Sequence, residues 1–468
     1  MSRIRDGVEH EPKNGMSASS TPSTRQTSPA ARLGPILLAS GVTARNGWTL
    51  VFISLSSIGL LTFVAIGTPY VLNANLNVPV AEQGTIVGDL ALLTEVALLL
   101  VFGPFGVLAD RIGRRRVYAT GMLAMTAAYL LYPFAETVAE LAFYRVIYAI
   151  GIGAATGMLL TILSDYPHES SRGKMVALAG ILNAIGVIAV TVFLGRLPVI
   201  FVELGFDGVT AGRYTHAVVA ACCLVTAAVA WLGLKKGTPV RDEERPPVRE
   251  LIRSSLTEAR NPRLALAYGC AFVARSDLVV LGTFTVLWGT TAAVSQGMDA
   301  AEAVSRGRVI FATTQIAALL WSPVAGFLMD RLNRVTGIVI CMGLASAGYL
   351  SMLLVRDPLA DSALIWFVLL GIGQISAFFG ATTLIGQEAP VEKRGAVVGA
   401  FNICGAIGIL FSTGVGGRLF DAVAPAAPFA MIGILNALIA LAAIVIRMTA
   451  PGPMPGEVQA GTGAEPGS

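Results

Sequence analysis

Five ionisable side chains lie inside long apolar stretches of this sequence: Asp89, Glu95, Arg145, Arg275 and Asp277. Charged groups are costly in apolar surroundings, so they usually pair with one another or lie along a polar path. A helix rises about 1.5 Å per residue, which puts Glu95 and Arg275 near the middle of their segments and Asp89 and Arg145 nearer one end. We therefore predict two pairs, Glu95 with Arg275 and Asp89 with Arg145.

Glu95 is the strongest candidate for a group that takes up and releases a proton, because only small and aliphatic residues share its helix face. A structural hydrogen bond to a neighbouring helix and a contact with a substrate are the alternatives. Asp89 and Asp277 are further candidates for proton coupling. Asp277 follows Arg275 by two positions, so the two side chains point to different sides of one helix. Asp277 could equally be a static ion-pair partner.

The remaining candidates could line a cavity for a solute. Arg275 could bind an anionic substrate or act as the counter-ion of Glu95, and a static ion pair is the simpler alternative. Aromatic side chains at helical spacing serve packing more often than ligand binding. The other cavity candidates are Arg145, Tyr148, Trp288, Gln374 and Phe378.

The composition indicates a membrane protein. Hydrophobic residues make up 54% of the 468 and charged residues only 13%, whereas a soluble domain carries about a quarter charged residues. The five cysteines and three histidines form no metal-ligand spacing, and no nucleotide-binding or nucleophile motif occurs. We therefore expect no cofactor, no metal and no enzyme activity. The basic residues lie mainly in tails and short loops, which argues against a nucleic-acid partner.

Twelve apolar segments are long enough to cross a bilayer as helices. Their arrangement predicts an all-α polytopic membrane protein with an N-terminal six-helix bundle at 48–234 and a C-terminal one at 263–448. Between them lies a cytoplasmic loop at 235–262, and disordered cytoplasmic tails span 1–47 and 449–468. The excess of Lys and Arg in one set of loops places both termini inside the cell. The start codon is Met1 or Met16.

The two halves resemble each other in sequence. GVLADRIGRR at 106–115 recurs as GFLMDRLNRV at 326–335, which is 220 positions later. The tripeptide at 151–153 recurs at 371–373 with the same offset. We infer a duplicated six-helix unit, which supplies the pseudo-twofold symmetry that alternating access uses.

The loop after the second span resembles the signature of the major facilitator superfamily, G-x-L-a-D-r-x-G-r-r. Its positions here are Gly106, Asp110, Arg111, Gly113 and Arg114, and the second copy supplies Asp330, Arg331 and Arg334, with Asn333 in place of the second glycine. The resemblance implies that these residues form a conformational latch. Asp110 would face the start of the eleventh span and Arg114 would lock it. The alternative is that the arginines only anchor the loop at the membrane surface.

Other family motifs match less well. Arg145 precedes Gly151 by two residues more than the family's span-four motif has, and span five lacks the Gly-Pro of many proton/drug antiporters. We predict a monomeric secondary active transporter of a small organic solute in the inner (plasma) membrane. It would work by alternating access with proton coupling, with the lipid bilayer, the solute and protons as partners. The alternatives are an uncoupled facilitator, an efflux pump for drugs or lipophiles, and a transporter-like sensor or scaffold.

Overall fold

The computed structural model describes residues 31–237, 260–389 and 394–450, and side chains are not described for 394–396. In these ranges the chain is almost entirely helical. The helices are α1 Ala44–Thr62, α2 Val64–Ala74, α3 Val80–Ile112, α4 Arg114–Leu131, α5 Val138–Asp165, α6 Arg172–Phe193, α7 Leu197–Glu203, α8 Gly208–Gly233, α9 Pro262–Ser295, α10 Ala300–Arg331, α11 Arg334–Leu350, α12 Leu364–Glu388, α13 Arg394–Ala422 and α14 Ala427–Thr449.

Twelve helical segments in the described residues are long and apolar enough to cross a membrane. This confirms the predicted number of spans. The first span consists of α1 and α2, which meet at a break at Phe63, and the fifth span continues from α6 into the short α7. Several helices begin where a short polar side chain caps the first turn, as Thr43 does for α1 and Asp207 for α8.

Helices α1 to α8 form one bundle and α9 to α14 the other. The largest contacts between the bundles are made by two antiparallel helix pairs, α3 with α13 and α6 with α10, and α2 also touches α9 and α10. We call the end of the molecule where α1 begins and α14 ends the tail end, and the opposite end the far end. The seam is the surface along which the two bundles touch.

The duplication inferred from sequence is also visible in the packing of two glycines that follow Ala-Ile in both halves, Gly186 and Gly408. Gly186 on α6 lies against the backbone carbonyl of Leu55 on the first helix of its bundle. Gly408 on α13 lies against the carbonyl of Phe272 on the first helix of the other bundle. At both positions an added Cβ would overlap the facing carbonyl, so only glycine permits this close approach.

The prediction that residues 1–47 form a disordered tail is wrong for the last part of this range, which contains two strands and the start of α1. Arg32–Leu33 and Ile36–Leu37 form an antiparallel hairpin, and Leu38 bridges to Pro167 after α5. The amide of Ala39 donates to the carbonyl of Tyr166 at 2.8 Å, and the Leu38 side chain is fully buried. Leu33, Ile36 and Leu38 give this hairpin an apolar face to bury, which the Ser- and Pro-rich sequence before it lacks. Residues 1–30, most of the central loop and residues 451–468 lie outside the described residues.

Candidate transport site

Glu95 and Arg275 come from different bundles, on α3 and α9, and lie on the two sides of the seam. The Arg275 guanidinium is within electrostatic range of the Glu95 carboxylate, but no ion pair or hydrogen bond joins the two side chains in the described residues, so the predicted pairing stays a prediction. Both side chains are half-buried. The α13 residue Gly405 makes room for Arg275, since an added Cβ would lie 2.7 Å from its Cγ. Two opposite charges, one from each bundle, therefore lie near each other at the middle of the seam.

The predicted pairing of Asp89 with Arg145 is wrong. Asp89 is bound by Arg418 of α13, with 2.9 Å between Nη1 and Oδ1. Asp89 is 48% and Arg418 57% exposed, so solvent screens the pair. Asp89 faces α13 whereas Arg145 lies on α5 inside the N-terminal bundle, so the two residues lie on different sides of α3.

Arg145 is held by hydroxyl groups and an aromatic ring. Its Nε donates to Thr94 at 2.8 Å and its Nη1 to Thr68 at 3.4 Å, and its guanidinium lies 5.1 Å from the centre of the Tyr148 ring. No acidic side chain of the described residues lies within ion-pair distance of Arg145. The Tyr148 hydroxyl donates to the carbonyl of Leu61 at 2.6 Å, beside the break in the first span. These contacts tie α1, α2, α3 and α5 together.

A buried histidine extends this cluster, and the sequence analysis missed it. His216 on α8 shares a 2.8 Å hydrogen bond between its Nδ1 and the carbonyl of Gly212. Its ring stacks on Tyr132 and meets Phe63 edge-on. Its Nε2 has no hydrogen-bond partner among the described residues. A lone histidine within an apolar span was the available signal, because such a residue needs a polar environment.

Asp277 lies inside the C-terminal bundle, on the other side of α9 from Arg275. It is fully buried, and its Oδ1 accepts a 2.8 Å hydrogen bond from Asn436 of α14. The Tyr349 hydroxyl donates to the Asp277 carbonyl at 2.6 Å. The second carboxylate oxygen has no partner among the described residues. Asp277 therefore joins α9, α11 and α14, and Asn436 is a partner that sequence reasoning did not find.

The aromatic and amide candidates are not brought together at the Glu95–Arg275 pair. Trp288 is 5% exposed and packs 5.6 Å from Phe429, within an aromatic cluster of its own bundle, and it also lines the depression at the far end of the seam, so its contact with a solute stays a prediction. Gln374 is buried at 4% exposure, and half-buried Phe378 meets Phe379 edge-on. In the described part of the chain, no hydrogen bond or ring contact joins these three residues to Glu95 or Arg275.

The first copy of the loop motif forms the turn between α3 and α4 at the tail end. Gly106 is half-buried, Asp110 and Arg111 are exposed, and Gly113 has a positive φ of 93°, which starts the turn. Arg114 forms an ion pair with Asp165 at the end of α5, a partner that was not predicted. Side chains at the start of span eleven lie outside the described residues, so the Asp110 contact stays a prediction.

In the second copy of the motif, Arg334 lies 3.7 Å from Asp330 and also donates to the Met329 carbonyl. The Arg331 guanidinium lies 4.5 Å from the centre of the Phe327 ring. Both arginines thus contact residues of their own loop and of α10. The second copy stabilises this turn locally.

The sequence model of the Major Facilitator Superfamily matches residues 50–413 and, in a second match, residues 278–466. This protein belongs to the Major Facilitator Superfamily. Among its relatives is the magnetosome protein MamH of Paramagnetospirillum magneticum, 30% identical over 87% of this chain and 93% of that protein. The magnetosome protein MamZ of Magnetospirillum gryphiswaldense is 26% identical over 85% of this chain and 62% of its own length.

A solved structure supports the same fold. A variant of the nucleoside transporter NupG aligns with a TM-score of 0.65 over 85% of this chain and 99% of that chain. The sequence identity is 14%, so the similarity concerns the fold alone. The chain is therefore a multi-pass membrane protein with the fold of the superfamily's transporters.

Proposed function

We propose that this chain is a secondary active transporter that moves a small organic solute by alternating access and is coupled to protons through Glu95. The observation that carries the proposal is that two opposite charges, Glu95 and Arg275, lie within electrostatic range of each other on the two sides of the seam. A charge pair at that position responds both to protonation and to movement of one bundle against the other. Family membership supports transport, and the pair supports the coupling.

The proton acts through the strength of this pair. With Glu95 ionised, its carboxylate attracts the Arg275 guanidinium and holds α3 near α9. A proton on Glu95 removes that attraction and leaves Arg275 without its counter-ion. Arg275 can then bind an anionic group of the solute or face water, and the two bundles are freer to rock. Uptake of a proton and movement of the bundles are thereby linked.

The proposed orientation puts the tail end in the cytoplasm, because the loops at that end hold most of the basic residues. The far end then faces the outside of the inner membrane. In this structure the bundles touch toward the far end, through the Asp89–Arg418 ion pair and the crossing of Gly88 with Gly417. These contacts support a state closed toward the outside.

The test begins with a ligand, found by thermal-shift screening of the purified protein against metabolites and drugs. Proteoliposomes are then loaded at one pH and diluted into another, and ligand accumulation is measured. We expect uphill accumulation that a protonophore abolishes. The Glu95→Gln variant should lose accumulation but keep ligand exchange, because exchange needs no net proton movement.

Glu302→Gln is the matched control, since Glu302 is exposed and pairs with Arg306 on its own helix at 3.5 Å. It should accumulate ligand like the unmodified protein. Equilibration without accumulation, unaffected by the protonophore, identifies an uncoupled facilitator. Ligand binding without any flux identifies a sensor. Undiminished accumulation by Glu95→Gln removes Glu95 from the coupling mechanism.

A further inference from the structure

Two charged side chains of the C-terminal bundle reach the backbone of N-terminal-bundle helices at the far end. The Asp421 carboxylate, at the end of α13, accepts hydrogen bonds from the amides of Gly84 at 2.9 Å and Thr85 at 2.6 Å, near the start of α3. Arg308, near the start of α10, donates from Nη1 to the carbonyl of Val192 at 3.3 Å, in the last turn of α6. Each contact crosses the seam.

The sign of each charge suits the helix end that it meets. The start of a helix carries partial positive charge and its end partial negative charge. Asp421 is an anion placed near the start of α3, and Arg308 is a cation placed at the end of α6. The two helix pairs with the largest contacts across the seam therefore each carry an electrostatically favourable contact at the same end of the molecule.

Glycine makes both approaches possible. A Cβ added to Gly84 would lie 2.5 Å from Oδ1 of Asp421, and one added to Gly195 would lie 2.8 Å from Cδ of Arg308. These distances are well below an ordinary contact, so a larger residue at either position would displace the charged side chain. The chain thus has small residues at the two points where a charge must reach a helix end.

Arg308 is held in surroundings that are otherwise unfavourable for it. Its Nε is buried without a hydrogen-bond partner among the described residues, and Arg196 lies close enough to repel it. The Ser305 hydroxyl, at 3.1 Å from Nη2, belongs to the same helix. The Val192 carbonyl is therefore the partner that depends on the position of the other bundle. Moving α6 away would leave the guanidinium with fewer partners.

We propose that Asp421 and Arg308 form a far-end latch, which stabilises the closed far end and must open before the solute site is accessible from that side. The proposal rests on the alternating access proposed above. Helices α3 and α13 are antiparallel, so Asp421 at the end of α13 meets the start of α3.

The latch can be tested without knowing the solute. Spin labels are attached at Leu204→Cys and Val423→Cys, which are 67% and 69% exposed at the far end of different bundles, in full-length protein with Cys222 and Cys404 replaced by Ala. Pulsed electron paramagnetic resonance in lipid nanodiscs gives the distribution of distances between the labels. Asp421→Ala and Arg308→Gln should each raise the ratio of long to short distances about tenfold, because each removes hydrogen bonds to a charged group.

Arg306→Gln is the matched control, because Arg306 lies two residues from Arg308 and forms its ion pair in the described part of the chain with Glu302 of its own helix. It should leave the distribution unchanged. Asp421→Asn, which keeps the shape of the side chain, serves if the alanine variant does not fold. Distributions identical to the parent in both latch variants overturn the latch. A shift toward longer distances in the latch variants supports the latch, including when the parent shows only the short distance. Transport itself is tested separately by the flux assay, so the latch and the proposed function can fail independently.

Discussion

Replacing Gly88 with Ala should open the far end, because this glycine lies where α3 crosses α13. A Cβ at position 88 would lie 2.7 Å from the carbonyl oxygen of Thr413 and 2.9 Å from Cα of Gly417. An ordinary contact between carbon and a carbonyl oxygen is about 3.3 to 3.6 Å, so the two helices must separate by about 0.6 Å or more. Such overpacking costs about 1–3 kcal/mol, which corresponds to a population shift of about 5- to 150-fold.

The assay is the alkylation rate of Thr291→Cys by a membrane-impermeant thiol reagent. Thr291 is 3% exposed and lines the depression between the bundles at the far end, so the reagent should reach it only when that end opens. Gly414→Ala is the control, since its Cβ would lie 3.8 Å from the nearest atom, on Leu92. Both changes stiffen the backbone alike. Equal alkylation rates in the two variants would refute the reasoning.

Three further predictions concern residues away from the seam. Asp277→Asn should keep ligand transport in proteoliposomes because the side chain is enclosed in one bundle, whereas Asn436→Leu should lower stability by about 1.5–3 kcal/mol, measured by thermal denaturation. Leu38→Ala should speed hydrogen exchange of the hairpin amides about tenfold or more, because it removes a fully buried side chain. Hydrogen bonds from Thr210 lower the pKa of the Asp207 carboxyl. Because that pKa is lower in the folded state, the ionised Asp207 stabilises the fold, and Asp207→Ala should lower the melting temperature at pH 7. The difference in melting temperature between the variant and the unmodified protein should vanish as the pH falls through the folded-state pKa.

The sequence was sufficient for the fold because the signals for membrane helices are local. Each span needs only a long apolar run, and the duplicated segments could be aligned by their spacing. Depth along a helix also follows from residue number, which is why Glu95 and Arg275 were expected at the same level. Depth does not say which neighbour a side chain faces, and that ambiguity produced the wrong pairing of Asp89 with Arg145.

The partners missed in sequence depend on tertiary contacts. Asp421 and Arg308 bind backbone groups of helices that are distant in sequence. Every residue has a backbone carbonyl and nearly every one an amide, so the residue types do not show which of these groups will be the partner. The sequence does not distinguish Asn436 from the other amide side chains as a partner of Asp277, because the contact depends on the packing of α14 against α9. The hairpin before α1 could have been found, since Leu33, Ile36 and Leu38 give an apolar face just after a polar, Ser-rich stretch.

The most direct measurement of proton coupling is the pH inside proteoliposomes when ligand is added without a pre-existing pH gradient. A trapped pH-sensitive dye should report a pH change that accompanies ligand movement in the unmodified protein and is absent in Glu95→Gln. Ligand movement with no pH change in the unmodified protein, or an equal pH change in the variant, would contradict the role assigned to the Glu95–Arg275 pair.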